Sequence, residues 1–180
     1  MGAYFLQRGC SRWASACCAR GLMPENNNGL MEYLNKLVQY TLWANRSWML
    51  FISKEMEQDE YLLKIVSHIL LSEQAWFQRI SGVKVNRSIW KPLALNELSE
   101  LQETHRSEYR LLMEQDPGRI ISYQRFSGEA GRSALSDILM HLTTHGAHHR
   151  GQMAAYASAR GVQPVNTDFI RYSRISHPTQ

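Results

Sequence analysis

Four of the seven histidines in this chain, His141, His145, His148 and His149, fall in one short stretch, HLTTHGAHHRGQMAAY. Neutral imidazole is an ordinary ligand for divalent transition metals, and residues four apart on a helix lie on one face within reach of a single ion. The apolar neighbours indicate which pair points inward. Leu135, Ile138, Leu142, His145, His149, Gln152 and Tyr156 step alternately by three and four, which traces a core seam along one helix. On that reading His145 and His149 sit mid-seam, with Gly146 thinning the helix between them, and His141 and His148 flank the seam as supporting or surface residues. A buried imidazole loses roughly 1–3 kcal/mol for each donor or acceptor left unmet. Coordination meets one ring nitrogen, and a nearby acceptor can meet the other. A single core histidine is more often a hydrogen-bonded packing residue than a ligand; the i, i+4 pair is what points to a metal.

Two histidines do not complete a site, so a third ligand must come from another element. The candidates are His68, Glu73, His105 and the late His177. Periodicity does not choose among them. At about 100° per residue, His68 falls outside the densest apolar arc of its segment, through Leu62, Val66, Ile69 and Trp76, and Glu73 lies closer to that arc.

The elements that must carry these residues are helical. Leu34, Leu37, Val38, Thr41, Leu42, Asn45, Trp48, Met49, Ile52 and Met56 mark one face of a long first helix starting near Met31. Gln58–Asp59 makes a break. A second helix runs from Glu60 to Ile80 and stops at Gly82. Residues 83–94 form a connection. Asn96 then caps a third helix carrying Leu98, Leu101, His105, Leu112 and Met113, which ends at Asp116-Pro117-Gly118. Ile120, Ile121, Tyr123 and Phe126, followed by Gly128 and Gly131, predict a short β-hairpin or extended loop. Ser133 opens a fourth helix that continues to Arg160 and ends at Gly161. A last amphipathic piece, Thr167 to Ser173, packs back on the rest. Four helices of this length with few strand signals predict an all-α four-helix bundle, an architecture that builds metal sites from inward-facing side chains.

Bulk properties exclude several function classes. The chain has 180 residues, 44% hydrophobic and 20% charged, enough for one well-buried core and unlike a disordered composition. No apolar run reaches the length of a membrane span. The net charge of +4 is concentrated at the start, where Arg8, Arg12 and Arg20 stand without an acidic residue. The remaining body is nearly neutral and has no basic stripe, which argues against a nucleic-acid partner. Cys10, Cys17 and Cys18 all lie in the same opening stretch, so the fold has no disulfide framework and suits a cytoplasmic setting. Residues 1–29 read as a disordered leader or a mis-assigned start, with Met23 and Met31 as alternative starts. Residues 30–176 read as the folded domain.

These residues resemble a known family. Tyr40-Thr-Leu-Trp43-Ala-Asn45 on the first helix, His68 with Glu73 and Trp76 on the second, and His145-x-x-x-His149-Arg150-Gly151-Gln152 on the fourth are similar to the DinB family, and Pro164, Asp168 and Tyr172 match its closing segment. The resemblance covers residues 31–174. It implies an up-down-down-up four-helix bundle, often a homodimer, with a three-histidine site for nickel, zinc or a similar divalent ion. Carried onto this chain, the ligands are His68, His145 and His149. Two of them are also indicated by the seam; His68 rests on the resemblance. Three protein ligands leave coordination positions open, the arrangement of catalytic sites. The related fold includes enzymes that use a low-molecular-weight thiol in transfer, isomerisation or hydrolysis of a small-molecule substrate. Glu73 is a reasonable general base. Trp43, Asn45 and Trp76 are expected to lock helices together, Arg150 to pair with a carboxylate, and Gly151 to allow close helix approach.

Two other functions compete with a metal-dependent enzyme. One is a non-catalytic helical dimer with a structural or opportunistic ion. The other is a stress-linked regulator that binds macromolecules, which the neutral body disfavours.

Overall fold

The computed structural model describes residues 27–85 and 88–176 of the chain. Its order is α1 (Asn27–Glu55), α2 (Glu60–Ile80), α3 (Leu95–Leu112), β1 (Ile120–Gln124), β2 (Ala130–Ala134), α4 (Leu135–Ala159) and α5 (Phe169–Ser176). The protein is mostly helical, as expected, with one small hairpin. The three cysteines, Met23 and His177 lie outside the described residues. No helix among the described residues is long and apolar enough to cross a membrane.

Local chemistry sets most of the boundaries. Asp59 caps α2, its Oδ1 accepting the Leu62 amide at 2.9 Å, so the predicted break is itself the start signal. Gly82 and Gly161 follow α2 and α4 with φ of 72° and 75°, a left-handed conformation that glycine adopts without steric penalty. Other expected starts are displaced, α1 beginning at Asn27 where the period predicts a start near Met31. Asn96 is not the cap of α3: Ala94 holds that position, and its amide donates to the Glu97 carboxylate at 2.9 Å. Nor does Ser133 open α4, because it pairs with Ile121 in the hairpin and the helix begins at Leu135. The hairpin pairs Ile120 with Ala134 through Gln124 with Ala130, antiparallel. Gly131 is required there: a Cβ would lie 2.6 Å from the Tyr123 ring.

The long helices α1 and α2 each pack against both α3 and α4. Their apolar side chains form two clusters. One joins Leu34, Val38 and Leu42 with Phe77, Ile80, Tyr109, Leu112, Leu135, Ile138 and Leu142. The other joins Trp48 and Ile52 with Leu62, Val66, Ile69, Leu98, Met153 and Ala157. On each helix buried polar side chains lie between the two clusters: Asn45, Glu73, Gln102, His105 and Arg150. The tail closes over α1. Tyr40 Oη donates to the Thr167 carbonyl at 3.0 Å, and the Phe169 ring meets Tyr40 edge-on at 5.2 Å, so the expected final amphipathic piece does pack back.

Candidate metal centre

α2 and α4 bring three histidines together. One nitrogen each of His68, His145 and His149 lies within 4.8 Å of the others, a grouping able to hold a metal ion. The Nε2 atoms of His145 and His149 are 3.2 Å apart. Nitrogens bound about 2.0–2.1 Å from a zinc-like ion stand roughly 3.0–3.4 Å apart when they occupy neighbouring positions, so this spacing fits a shared ion.

The hydrogen bonds around the rings fix which nitrogens are free. His68 Nδ1–H donates to the Ile89 carbonyl at 3.0 Å, which leaves Nε2 with its lone pair. His149 Nδ1–H donates to Gln152 Oε1 at 2.8 Å, and Gln152 Nε2–H donates in turn to His148 Nε2 at 3.1 Å. Outer acceptors of this kind orient ligand rings and raise their basicity. With its other nitrogen committed, His149 Nε2 faces His145 Nε2 as an acceptor. Without an ion only a proton on His145 Nε2 reconciles the two.

Electrostatics favour the neutral, ligand-competent forms. Burial, followed by the neighbouring His149, His68, His141 and His148, holds His145 far below the ordinary imidazole value, at about 3. Burial also lowers His68, against the Ile89 hydrogen bond, and His149 lowers it further. An ion binding near neutral pH therefore displaces few protons from these rings.

Trp90 is part of the centre and was not singled out in the sequence. It stacks flat on His68, with centroids 3.6 Å apart and planes 7° from parallel, while itself 46% exposed. A tryptophan in the connection between the second and third helices was the available signal. Gln152 was placed on the seam, but its role as the link between His149 and His148 shows only in three dimensions.

The seam itself is shifted. Leu135, Ile138, Leu142 and His149 are buried, whereas His145 and Tyr156 are half-buried and Gln152 is exposed. The row facing the other helices continues instead through Thr143, Gly146, Arg150, Met153 and Ala157. With this row inward, His145 lies at the margin of the core. His141 and His148 are exposed, as expected of flanking residues.

Of the alternative third ligands, neither Glu73 nor His105 joins the trio. Both belong to the polar layer between the two apolar clusters. Arg150 Nη1–H donates to Asn45 Oδ1 at 2.8 Å, and Asn45 Nδ2–H donates to Glu73 Oε1 at 3.0 Å. His105 Nδ1 meets Glu73 Oε2 at 3.0 Å. Both Glu73 oxygens are thus engaged at 1% exposure, which leaves it no part as a general base. Asn45 is hydrogen-bonded in the interior, as expected. Arg150 does not pair with a carboxylate directly; Asn45 stands between them. The two glycines of α4 also differ from expectation. A Cβ on Gly146 would lie 2.8 Å from Arg150 Nη1, so that glycine makes room for the guanidinium. Gly151 has nothing within 4 Å of its Cβ position and allows no close approach.

Comparison with known proteins identifies the family. The DinB family model matches residues 23–180. Over 163 residues the chain is 24% identical to Protein DinB of Bacillus subtilis (strain 168), covering 79% of this chain and 95% of that protein.

Proposed function

The chain belongs to the DinB family, and from that premise we propose that it binds a divalent ion through His68, His145 and His149 for a reaction on a small molecule, of the thiol-transferase or hydrolase type. The observation that carries this reading is the convergence of three imidazoles whose outer nitrogens are already engaged or desolvated. Nickel and zinc suit an all-imidazole donor set. An up-down-down-up bundle completes the reading. It is supported by the two core clusters, one taking the first half of α1 and α4 with the last half of α2 and α3, the other the reverse.

A bound ion of this type supplies Lewis-acid polarisation of a substrate or thiol at the positions that protein ligands leave open. The chain's own part is orientation and access. His68 is fixed by the Ile89 carbonyl and the Trp90 ring, and His149 by Gln152. His145, at the margin of the core, is the side from which a small molecule reaches the centre. The body contributes no cysteine, so a thiol in the reaction comes from a bound small molecule.

The test is metal content by mass spectrometry on tag-free protein, beside a His145→Ala, His149→Ala double variant. Near-stoichiometric nickel or zinc in the parent, lost in the variant, is the expected result. Little metal in either, with both folded, sinks the proposal. A second reading, a purely structural ion, is favoured by the clamping of His68 between Trp90 and the helix. Cobalt-loaded protein separates the two: an absorption change on adding a small thiol requires an open coordination position, and a structural ion gives none.

A further inference from the structure

Beyond the histidines, a line of side chains continues along the α2–α4 edge. His141 lies 5.6 Å from His145 between ring centroids, and Trp76 lies edge-on to His141 at 5.7 Å. The Arg79 guanidinium then sits 4.9 Å from the Trp76 ring and 4.6 Å from the ring of Phe126, which the hairpin tip brings over it. Two aromatic faces therefore hold one guanidinium in place. Among the described residues its side chain has no hydrogen-bond or ion-pair partner, and its Nε is buried without one. An arginine fixed by stacking, with its donor edge unspent, is the arrangement that recognises carboxylate or phosphate.

We propose that Arg79, clamped between Trp76 and Phe126, anchors an anionic group of the small molecule whose other end reaches the histidine centre. This rests on the metal-centre reading above and names the substrate class: an elongated molecule with a carboxylate or phosphate at the end remote from the metal. Geometry sets the length. His68 and Arg79 are eleven residues apart on α2, which places them on nearly the same face with Cα atoms about 16 Å apart. Both side chains lean toward the helix N-terminus, and because that of Arg79 is the longer it closes a few ångström of the gap, leaving a span of roughly 10–14 Å. Burial lowers Arg79 itself, against the Tyr123 phenol, so an arriving anion meets an under-solvated cation.

The experiment uses zinc-loaded full-length protein and three hydroxamate probes measured by calorimetry. Acetohydroxamate tests the metal end alone. Suberic acid monohydroxamate adds a carboxylate at about the required reach, and its methyl ester removes only the charge. The acid is expected to bind about tenfold more tightly than the ester, the gain typical of a charge-assisted hydrogen bond. Arg79→Gln abolishes that preference without changing zinc content or acetohydroxamate affinity, and Arg79→Lys keeps part of it. Equal affinity for acid and ester in the parent, with acetohydroxamate still binding, overturns the Arg79 assignment alone. So does a preference that survives in R79Q. No acetohydroxamate binding at all overturns the open metal centre, and the Arg79 proposal falls with it.

Discussion

His149 and Arg150 are neighbours in the chain, yet they belong to two polar clusters built around different partners. Arg150 enters a layer centred on a carboxylate, in which donor meets acceptor from guanidinium to Asn45, to Glu73, to His105, while Arg150 Nε and Nη2 and His105 Nε2 are buried without a partner among the described residues. His149 enters a cluster where ring nitrogens of the same kind face each other at 3.2 Å. Both clusters contain a histidine pressed against a polar partner. In one the partner is a carboxylate, which takes only a proton from the ring; in the other it is another imidazole, and the two nitrogens can share either a proton or an ion. The lesson is that the partner identifies the ligand histidine, since burial is shared: His105 is more buried than His149, at 1% against 9%.

The largest effect should come from breaking the carboxylate-centred layer. Glu73→Ala leaves His105 and Asn45 without their shared acceptor, and removing one member of a buried charged set costs about 3–5 kcal/mol. Urea unfolding of metal-free protein measures this. By contrast, His145→Ala should leave metal-free stability within about 1 kcal/mol of the parent, because it removes a half-buried ring with no complete partner. If the two variants lose similar stability, the distinction between the clusters fails.

Metal removal sharpens the comparison next. Chelation should lower the melting temperature of the parent by on the order of 5–10 °C, as expected for an ion bound well below its working concentration. The His145→Ala, His149→Ala variant should show no such change, whereas a folded variant of the polar layer such as Glu73→Gln should retain it.

Acid titration gives a smaller signal with a definite sign. His145 is held at about 3 in the folded chain against an ordinary 6.5. Between those values the unfolded chain takes a proton that the folded chain refuses, so metal-free stability falls as pH drops from 6.5 toward 3. The full contribution is present above 6.5. His145→Ala should flatten that part of the stability profile; an unchanged slope would show that the ring is protonated normally in the fold.

The smallest effects separate the two glycines of α4. Gly146→Ala should destabilise by about 1 kcal/mol despite the better helix propensity of alanine, because the new Cβ displaces the Arg150 guanidinium. Gly151→Ala meets open space and should stabilise by about 0.5–1 kcal/mol. Thermal melts of the pair decide it, and equal shifts would mean that the guanidinium moves aside freely.

The amino-acid sequence by itself determined the helices, their approximate ends, the hairpin and the His145–His149 pair, because these follow from short-range periodicity, caps and turn residues. Asp59, Gly82 and Gly161 act through their own backbone and nearest amides, which a linear reading captures. Periodicity could not select His68 over Glu73 or His105, since all three are buried and their difference lies in partners 28 to 77 positions away in the chain, in Asn45 for Glu73 and in His145 for His68. It also misplaced the buried row of α4 by one residue, because a heptad count does not register that Gly146 makes room on the inner side for the Arg150 guanidinium. Trp90 and Arg79 took their places only when a connection and a hairpin tip folded back over α2. Contacts of that kind depend on packing between distant elements, and only the tertiary structure decides them.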